Sequence, residues 1–589
     1  MPFDSRFIAP SLGAMNNAML DAVPERRAWP RLGWWTVALV LLCFLPRAGL
    51  ALKKSVICRD GVFYLQLADA LAERDWSRGF QTLGLNVYPS LLALMESVGL
   101  DASDAGKWWG VALASLTVLP LFGWVRRLFN DRVAWSVAVL YAAHPKLIEW
   151  SPELVRDPTF WFLWSLSVYC LVRAVTEVRA AWFALAGVAI ALAIHTRFEG
   201  WLLYIPFAAW TWMRWRYLVA EQWRLARGAL VGVAMYPALL VLVNVTWLHD
   251  CPDWQLGSFQ RLQYVRWWWE GGVPTAARWP TSEDSRIATG GERVRSTPTT
   301  QSVLRTVANE RVVLADVARG ASWSFALEYL DALRRGFDLG YGLLAGWGIW
   351  RGRGLWRRGD YHALLVVGLA IFAAIWIHFW YAGATSSRYV LTVLLLALPW
   401  TAIGVLDLTA LVAARWQALR PQHLVPPRAV YAGALALVFV VGTTRGLASR
   451  DLGIVREAAL GQWLGETLGA ETPVALARTM PLCAYYAGPA ERVTWLDTRD
   501  PGWIEFLKNP AIEVAIVEPQ AFAVADRSLV EQAWARLEPS DLPAECRAGK
   551  FIVMMRRDAL GATSTGANGA ANRARDDAAM HLRKVPVGR

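Results

Sequence analysis

Apolar residues in this chain come in long blocks separated by polar connections, not in strict alternation. The blocks cover roughly 34–52, 107–125, 133–148, 157–172, 180–195, 199–213, 228–248, 336–350, 361–382, 389–413 and 428–444. An α-helix rises about 1.5 Å per residue, so about 20 apolar residues cross a bilayer core. The pattern therefore predicts about eleven spanning helices, several of them near the short end of that range. The first block follows a polar stretch ending in Arg26, Arg27 and Arg31, and no small-residue cleavage site follows it. It reads as an uncleaved first span.

The period changes after about residue 445. Short β-rich runs stand near 472 (TPVALA), 492 (RVTWLD), 512 (IEVAIVE) and 550 (KFIVMM), with helical patterns around 456–469 and 528–537. Strands alternating with helices predict a small α/β domain. The expected layout is a cytoplasmic tail over 1–33 and a transmembrane domain over 34–445 with external loops 53–106 and 249–335. An α/β domain over 446–558 and a Gly/Ala/Asn-rich disordered tail over 559–589 complete it. The fold class expected is an α-helical polytopic membrane protein with a C-terminal extracytoplasmic α/β domain.

Composition agrees with this class. The chain is 55% hydrophobic and 18% charged, against about 45–50% and about 25% in soluble domains. Six Cys are too few for a disulfide scaffold. With 60 Lys and Arg against 48 Asp and Glu, the net charge is +12. In a soluble protein that excess would suggest nucleic acid. Here it sits in alternate connections: Arg126, Arg127 and Arg132; Arg173 and Arg179; Arg214, Arg216, Arg224 and Arg227; Arg351, Arg353, Arg357 and Arg358; Arg415, Arg420 and Arg428. The positive-inside rule then makes these connections and the N-terminus cytoplasmic and the C-terminal domain external, with no nucleic-acid partner implied. The 35 Trp suit membrane–water interfaces.

The chain carries no Gly-rich phosphate loop, HExxH, paired CxxC or GxSxG motif. The informative residues are ionisable groups at the external face. In CRDGVFYLQLADAL, Asp60 stands among Lys53, Lys54 and Arg59 at the start of a surface helix, where an acid also serves as a cap. In SPELVRDPTF, Glu153 and Asp157 are four apart and would share one helical face, with Arg156 beside them. In HTRFEGW, Arg197 and Glu199 interrupt an apolar stretch, where such groups line a cavity or pair with each other. In SSRYV, Arg388 and Tyr389 stand at a span boundary, as a phosphate ligand or an interfacial anchor. All four fall on one face under a topology set by Arg counting alone. That combination suits transfer of a group from a lipid phosphate. Trp267, Trp268 and Trp269 in the long loop, and Tyr485 and Tyr486 in the C-terminal domain, are further aromatic candidates for sugar contact, with interface insertion and core packing as their ordinary roles.

In their order and sidedness these segments resemble the polytopic C-type glycosyltransferase superfamily. The branch is the one containing protein O-mannosyltransferase-like enzymes and the lipid A aminoarabinose transferase. The resemblance spans about 34–445, rests on CRDGVFY, NVYPSLLAL, SPELVRDPTF, TRFEG and SSRY, and leaves the 249–335 loop unaligned. It implies a GT-C fold and a transferase moving a sugar from a polyprenyl-phosphate donor to a lipid, protein or glycan acceptor, with inversion. Asp60, Glu153 and Asp157 would be the catalytic acids. Asp60 would orient or deprotonate the acceptor. Arg197, Arg388, Lys53 and Arg59 would bind the donor phosphate; Tyr64, Tyr88, Glu199 and Tyr389 would position substrate. A divalent cation held by the acids is compatible with the pattern, and no cofactor is required by it. The setting implied is a bacterial inner membrane with a periplasmic C-terminal domain, where Cys58–Cys251 and Cys483–Cys546 are candidate disulfides. A polyprenyl-linked glycan ligase or polymerase, a lipid-carrier flippase and a non-enzymatic scaffold are the alternatives.

Overall fold

A computed structural model describes residues 33–448 apart from 81–82, 253, 256–326, 328, 358, 383–386 and 421–425. Beyond these it describes 452–468, 472–477, 480–488, 492–496, 507–509, 511–517, 533–537, 542 and 551–557. Trp267–Trp269 and Cys546 lie outside the described residues. Packing divides the chain into two units, the helical body up to Ser449 and a C-terminal unit from Arg450, which also takes in Val56–Val62.

Each apolar block carries helix. In order these are α1 (Trp34–Lys53), α2 (Arg59–Ala72), α3 (Trp76–Phe80), α4 (Val87–Ser97), α5 (Ala102–Leu116), α6 (Val118–Leu128), α7 (Asp131–Ala143), α8 (Pro145–Trp150), α9 (Asp157–Glu177), α10 (Ala180–Thr196), α11 (Tyr204–Tyr217), α12 (Gln222–Thr246), α13 (Leu339–Arg351), α14 (Gly359–Ala382), α15 (Ser387–Leu419) and α16 (Pro427–Ala448). Among the described residues, six segments are long and apolar enough to cross a membrane, and Ala180–Thr196 and Tyr361–Ile377 are shorter apolar helices. Several blocks depart from single helices, among them 107–125, which divides at Thr117 between α5 and α6. The 133–148 block breaks at His144, whose imidazole accepts the Leu147 N–H ahead of Pro145. The 199–213 block begins as a 3₁₀ turn over Phe198–Leu203.

Glycines set the helix spacing. A Cβ at Gly187 of α10 would run into the Gly232 carbonyl of α12, and one at Gly442 of α16 into the Ala143 carbonyl of α7. A Cβ at Gly348 of α13 would meet the Trp400 carbonyl of α15. Lipid tails give little hydrophobic drive between helices, so close backbone approach supplies the cohesion. Arg47 is fully buried within α1. It donates to the Cys43 carbonyl (2.7 Å), the Tyr141 carbonyl (3.2 Å) and Ser151 Oγ (3.1 Å), so its charge is solvated by the end of α7 and the connection after α8.

The C-terminal unit orders α17 (Leu452–Thr467), β1 (Val474–Ala477), α18 (Pro481–Ala487), β2 (Val493–Leu496), β3 (Val514–Val517), β4 (Trp534–Arg536) and β5 (Ile552–Arg556). The sheet runs β2-β1-β3-β5-β4, with β1 parallel to β2 and β3, and β5 antiparallel to β3 and β4. Val474, Leu476, Val514, Ile516 and Val553 face one core; Ala475, Leu496, Ala515, Val517 and Ile552 face the other. Both faces are covered, which suits a sheet with parallel strands. The helix expected over 528–537 is corrected: Trp534–Arg536 is strand β4, because pairing with β5 outweighs a local helical pattern.

Gly187→Val should destabilise the helical body by about 1–3 kcal/mol, the usual cost of overpacking. Thermal unfolding in detergent reads this; an unchanged midpoint would contradict the close α10–α12 approach.

Candidate active site

The first site element is the end of α10. His195 and Thr196 close the helix, and Arg197 leaves it in extended conformation while its N–H still bonds the Ala193 carbonyl at 2.8 Å. The chain then turns back through Phe198–Leu203. Gly200 permits this, since a Cβ there would strike the backbone of Ala193 and Ile194. The turn folds Glu199 onto Arg197.

Arg197 is only 3% exposed. Its Nη1 meets Asp157 Oδ1 at 2.5 Å, and its Nη2 meets Glu199 Oε1 at 2.5 Å. One guanidinium thus bridges two carboxylates, leaving the trio one negative charge in excess. Asp157 opens α9 ahead of Pro158 and is 1% exposed. Its second oxygen, Oδ2, is buried without a hydrogen-bond partner among the described residues. A buried carboxylate oxygen in that state is a strong acceptor for any hydroxyl brought to it.

The second element is the start of α15. The Arg197 guanidinium lies 4.9 Å from the Tyr389 ring centre, and that of Arg388 lies 5.2 Å from the same ring. Arg388 also stacks 5.6 Å from the Trp150 ring centre. Tyr389 therefore carries cation–π contacts to both arginines. The third element is the connection from α8 to α9. Glu153 is buried and ion-paired with Lys54, which also donates to the Glu149 carbonyl at 3.3 Å. Lys146 pairs with Glu149 at 2.7 Å.

Asp157, Arg197, Glu199, Tyr389 and Arg388 are thus brought together as one connected set, with Glu153 paired separately. Several expectations change. Glu153 does not share a helical face with Asp157: residues 151–156 are irregular and α9 begins at Asp157, where Pro158 sets the start. Lys53, expected at the donor phosphate, is exposed at the end of α1, and its neighbour Lys54 pairs with Glu153. Tyr64 and Tyr88 are 3% and 0% exposed and pack edge to face at 5.3 Å, so they fill the interior between α2 and α4 and are not open to substrate. Trp150 was not singled out from sequence; its adjacency to Glu149 was the available signal, while Lys54, read as one of the cations around Asp60, pairs with Glu153. Among the described residues no group of three His, Cys, Asp or Glu converges to hold a metal; Asp157 and Glu153 each face a cation of the chain itself.

The C-terminal unit holds the remaining candidates. Asp60 is partly buried in the first turn of α2. Arg59, expected at the donor phosphate, donates from Nε (2.9 Å) and Nη2 (2.6 Å) to Glu457 Oε2. Burial pushes the Glu457 carboxyl above its ordinary value, and Arg59 partly offsets this. Tyr486 accepts the Ile57 N–H at 3.4 Å, and burial raises its hydroxyl.

Arg197→Ala would leave two carboxylates facing each other in the interior. Breaking a buried pair in this way costs about 3–5 kcal/mol. Thermal unfolding of Arg197→Ala against Arg197→Lys should show the larger loss for alanine; equal stability to wild type would contradict the bridging geometry.

Residues 87–247 match the family described as dolichyl-phosphate-mannose-protein mannosyltransferase. That stretch contains Glu153, Asp157, Arg197 and Glu199. A comparison with curated protein sequences finds no match. Among solved structures, the oligosaccharyltransferase of Archaeoglobus fulgidus, tethered to an acceptor peptide, superposes with a TM-score of 0.50 at 12% identity. The match covers 87% of this chain and 75% of that one. ArnT of Cupriavidus metallidurans bound to undecaprenyl phosphate gives a TM-score of 0.48 at 14% identity, covering 89% of this chain and 98% of that one. Residues 87–247 are therefore similar to that mannosyltransferase family, and the likeness to the oligosaccharyltransferase shows a shared fold.

Proposed function

We propose that the protein transfers a sugar from a polyprenyl-phosphate donor to an acceptor on the extracytoplasmic face of a bacterial inner membrane, with inversion at the anomeric carbon. The observation that carries this reading is the buried, arginine-oriented Asp157 carboxylate with its unengaged Oδ2, within the stretch that resembles mannosyltransferases using dolichyl-phosphate mannose. The one-sided placement of Arg clusters supports the orientation.

Asp60 acts as the acceptor's orienting group and general base. The nucleophile attacks the anomeric carbon and the polyprenyl phosphate leaves. Arg388, stacked on Trp150 and Tyr389, is held as a rigid planar donor for that phosphate. Arg197 acts at one remove: engaged by Asp157 and Glu199, it fixes Asp157 Oδ2 to accept a hydroxyl of the sugar or the acceptor. Glu153, neutralised by Lys54, orders the connection that leads into α9.

The test is a transfer assay in lipid with radiolabelled polyprenyl-phosphate sugar. Asp60→Asn should lower kcat by about 10²–10⁴-fold, the usual weight of general-base help, with expression unchanged. Arg388→Gln should weaken donor use more than acceptor use. Full activity of Asp60→Asn would sink the mechanism. Carrier binding without donor consumption by the wild type would favour a flippase or a ligase acting on preassembled glycan.

A further inference from the structure

The C-terminal unit does not begin at Arg450 alone. It includes Val56–Val62, the segment that enters α2 and bears Asp60. Two contacts within the unit hold this segment. The Ile57 N–H donates to the Tyr486 hydroxyl on α18 at 3.4 Å. Arg59 donates twice to Glu457 Oε2 on α17, at 2.6 and 2.9 Å.

Glu457 is itself rigidly held. Its side chain is fully buried, while that of Arg59 is half-exposed. Its other oxygen, Oε1, accepts the backbone N–H groups of Leu482 at 2.8 Å and Cys483 at 3.4 Å, at the start of α18. Gly461 lets α17 lie against α18 at that point, since a Cβ there would meet the Cys483 carbonyl and the Tyr486 side chain. Both oxygens of Glu457 are therefore committed, one to the domain's own backbone and one to the residue beside Asp60. A core carboxylate spent on a half-exposed arginine is an expensive arrangement for stability alone, because desolvation offsets much of the gain.

We infer that Glu457 is a positioning residue for the transfer reaction: it clamps Arg59 and so fixes the first turn of α2, on which Asp60 is carried. This rests on the reading of Asp60 as the acceptor-orienting base. It gives the C-terminal domain a part in the chemistry without requiring it to touch substrate. The logic is geometric. Asp60 adjoins Arg59, and a shift of about 1 Å in a reacting group costs about 10²-fold in rate.

The experiment compares wild type, Arg59→Gln, Arg59→Lys, Glu457→Gln and the double variant Arg59→Gln/Glu457→Gln, as full-length proteins in lipid, with Asp60→Asn alongside. Arg59→Gln leaves Glu457 and its backbone contacts in place, so it keeps the test informative if Glu457→Gln folds poorly. The expected result is a fall in kcat of at least about tenfold for each single glutamine variant, approaching the misplacement figure of about 10²-fold. Donor KM should stay within about twofold of wild type. Arg59→Lys should recover part of the rate, and the double variant should be no slower than the slower single variant, because both act through one contact. Wild-type kcat in both single variants, a rise in KM with kcat unchanged, or losses that multiply in the double variant would each overturn the clamp. If Asp60→Asn is inactive while Arg59→Gln and Glu457→Gln are not, the clamp falls and the role of Asp60 stands. If Asp60→Asn is fully active, the reading beneath the clamp falls first.

Discussion

The site depends on one buried cation. Arg197 carries its charge out of water at the end of α10, where an isolated guanidinium would be prohibitively unstable. Two carboxylates, Asp157 and Glu199, make it tolerable. Three local features deliver those acids: Pro158 starts α9 so that Asp157 lies in its first turn, Gly200 allows the turn that returns Glu199, and the extended backbone of Arg197 aims its side chain between them. The same ion cluster ties α9 to the α10–α11 connection and, through Tyr389, reaches the start of α15. Rigidity at this point is what orients Asp157 Oδ2, and the Tyr389 ring that stacks on Arg197 also stacks on Arg388.

The other buried arginines among the described residues, Arg47 and Arg492, are handled differently, and the contrast separates structure from chemistry. Arg47 is solvated by main-chain carbonyls at the end of α7 and by a serine hydroxyl, and no acid is paired with it among the described residues. That pattern serves helix packing. Arg492, in the C-terminal domain, likewise donates to the carbonyls of Thr472 and Ala487. Arg197 and Glu457 instead face opposite charges with full hydrogen-bond geometry, and both lie next to groups argued to act in transfer.

Much of this was legible in the sequence. The apolar blocks located the helices because their length is set by the bilayer. SPELVRDPTF, TRFEG and SSRY carry the residues of the buried ion cluster, as ionisable residues at span ends are costly and seldom incidental. The Arg197–Glu199 pair was one of two readings the sequence offered, whereas pairing across helices was not legible. Arg197 was expected to meet phosphate, and its partners proved to be Asp157, forty residues earlier, and Glu199; sequence gives types and spacing but no distances across helices. The resemblance implied Tyr64 and Tyr88 as substrate-positioning residues, yet tight packing buries both. Strand β4 was missed because three residues carry too little local pattern to outweigh their pairing with β5.

The activity proposed for this protein is consumption of a polyprenyl-phosphate sugar. The most direct measurement gives purified wild-type protein in lipid a panel of labelled polyprenyl-phosphate sugars and follows release of the polyprenyl phosphate together with transfer of label. One donor should be consumed, with label leaving the carrier in step with carrier release. Failure of the folded protein to consume any donor, with candidate lipid, protein and glycan acceptors supplied, would contradict it.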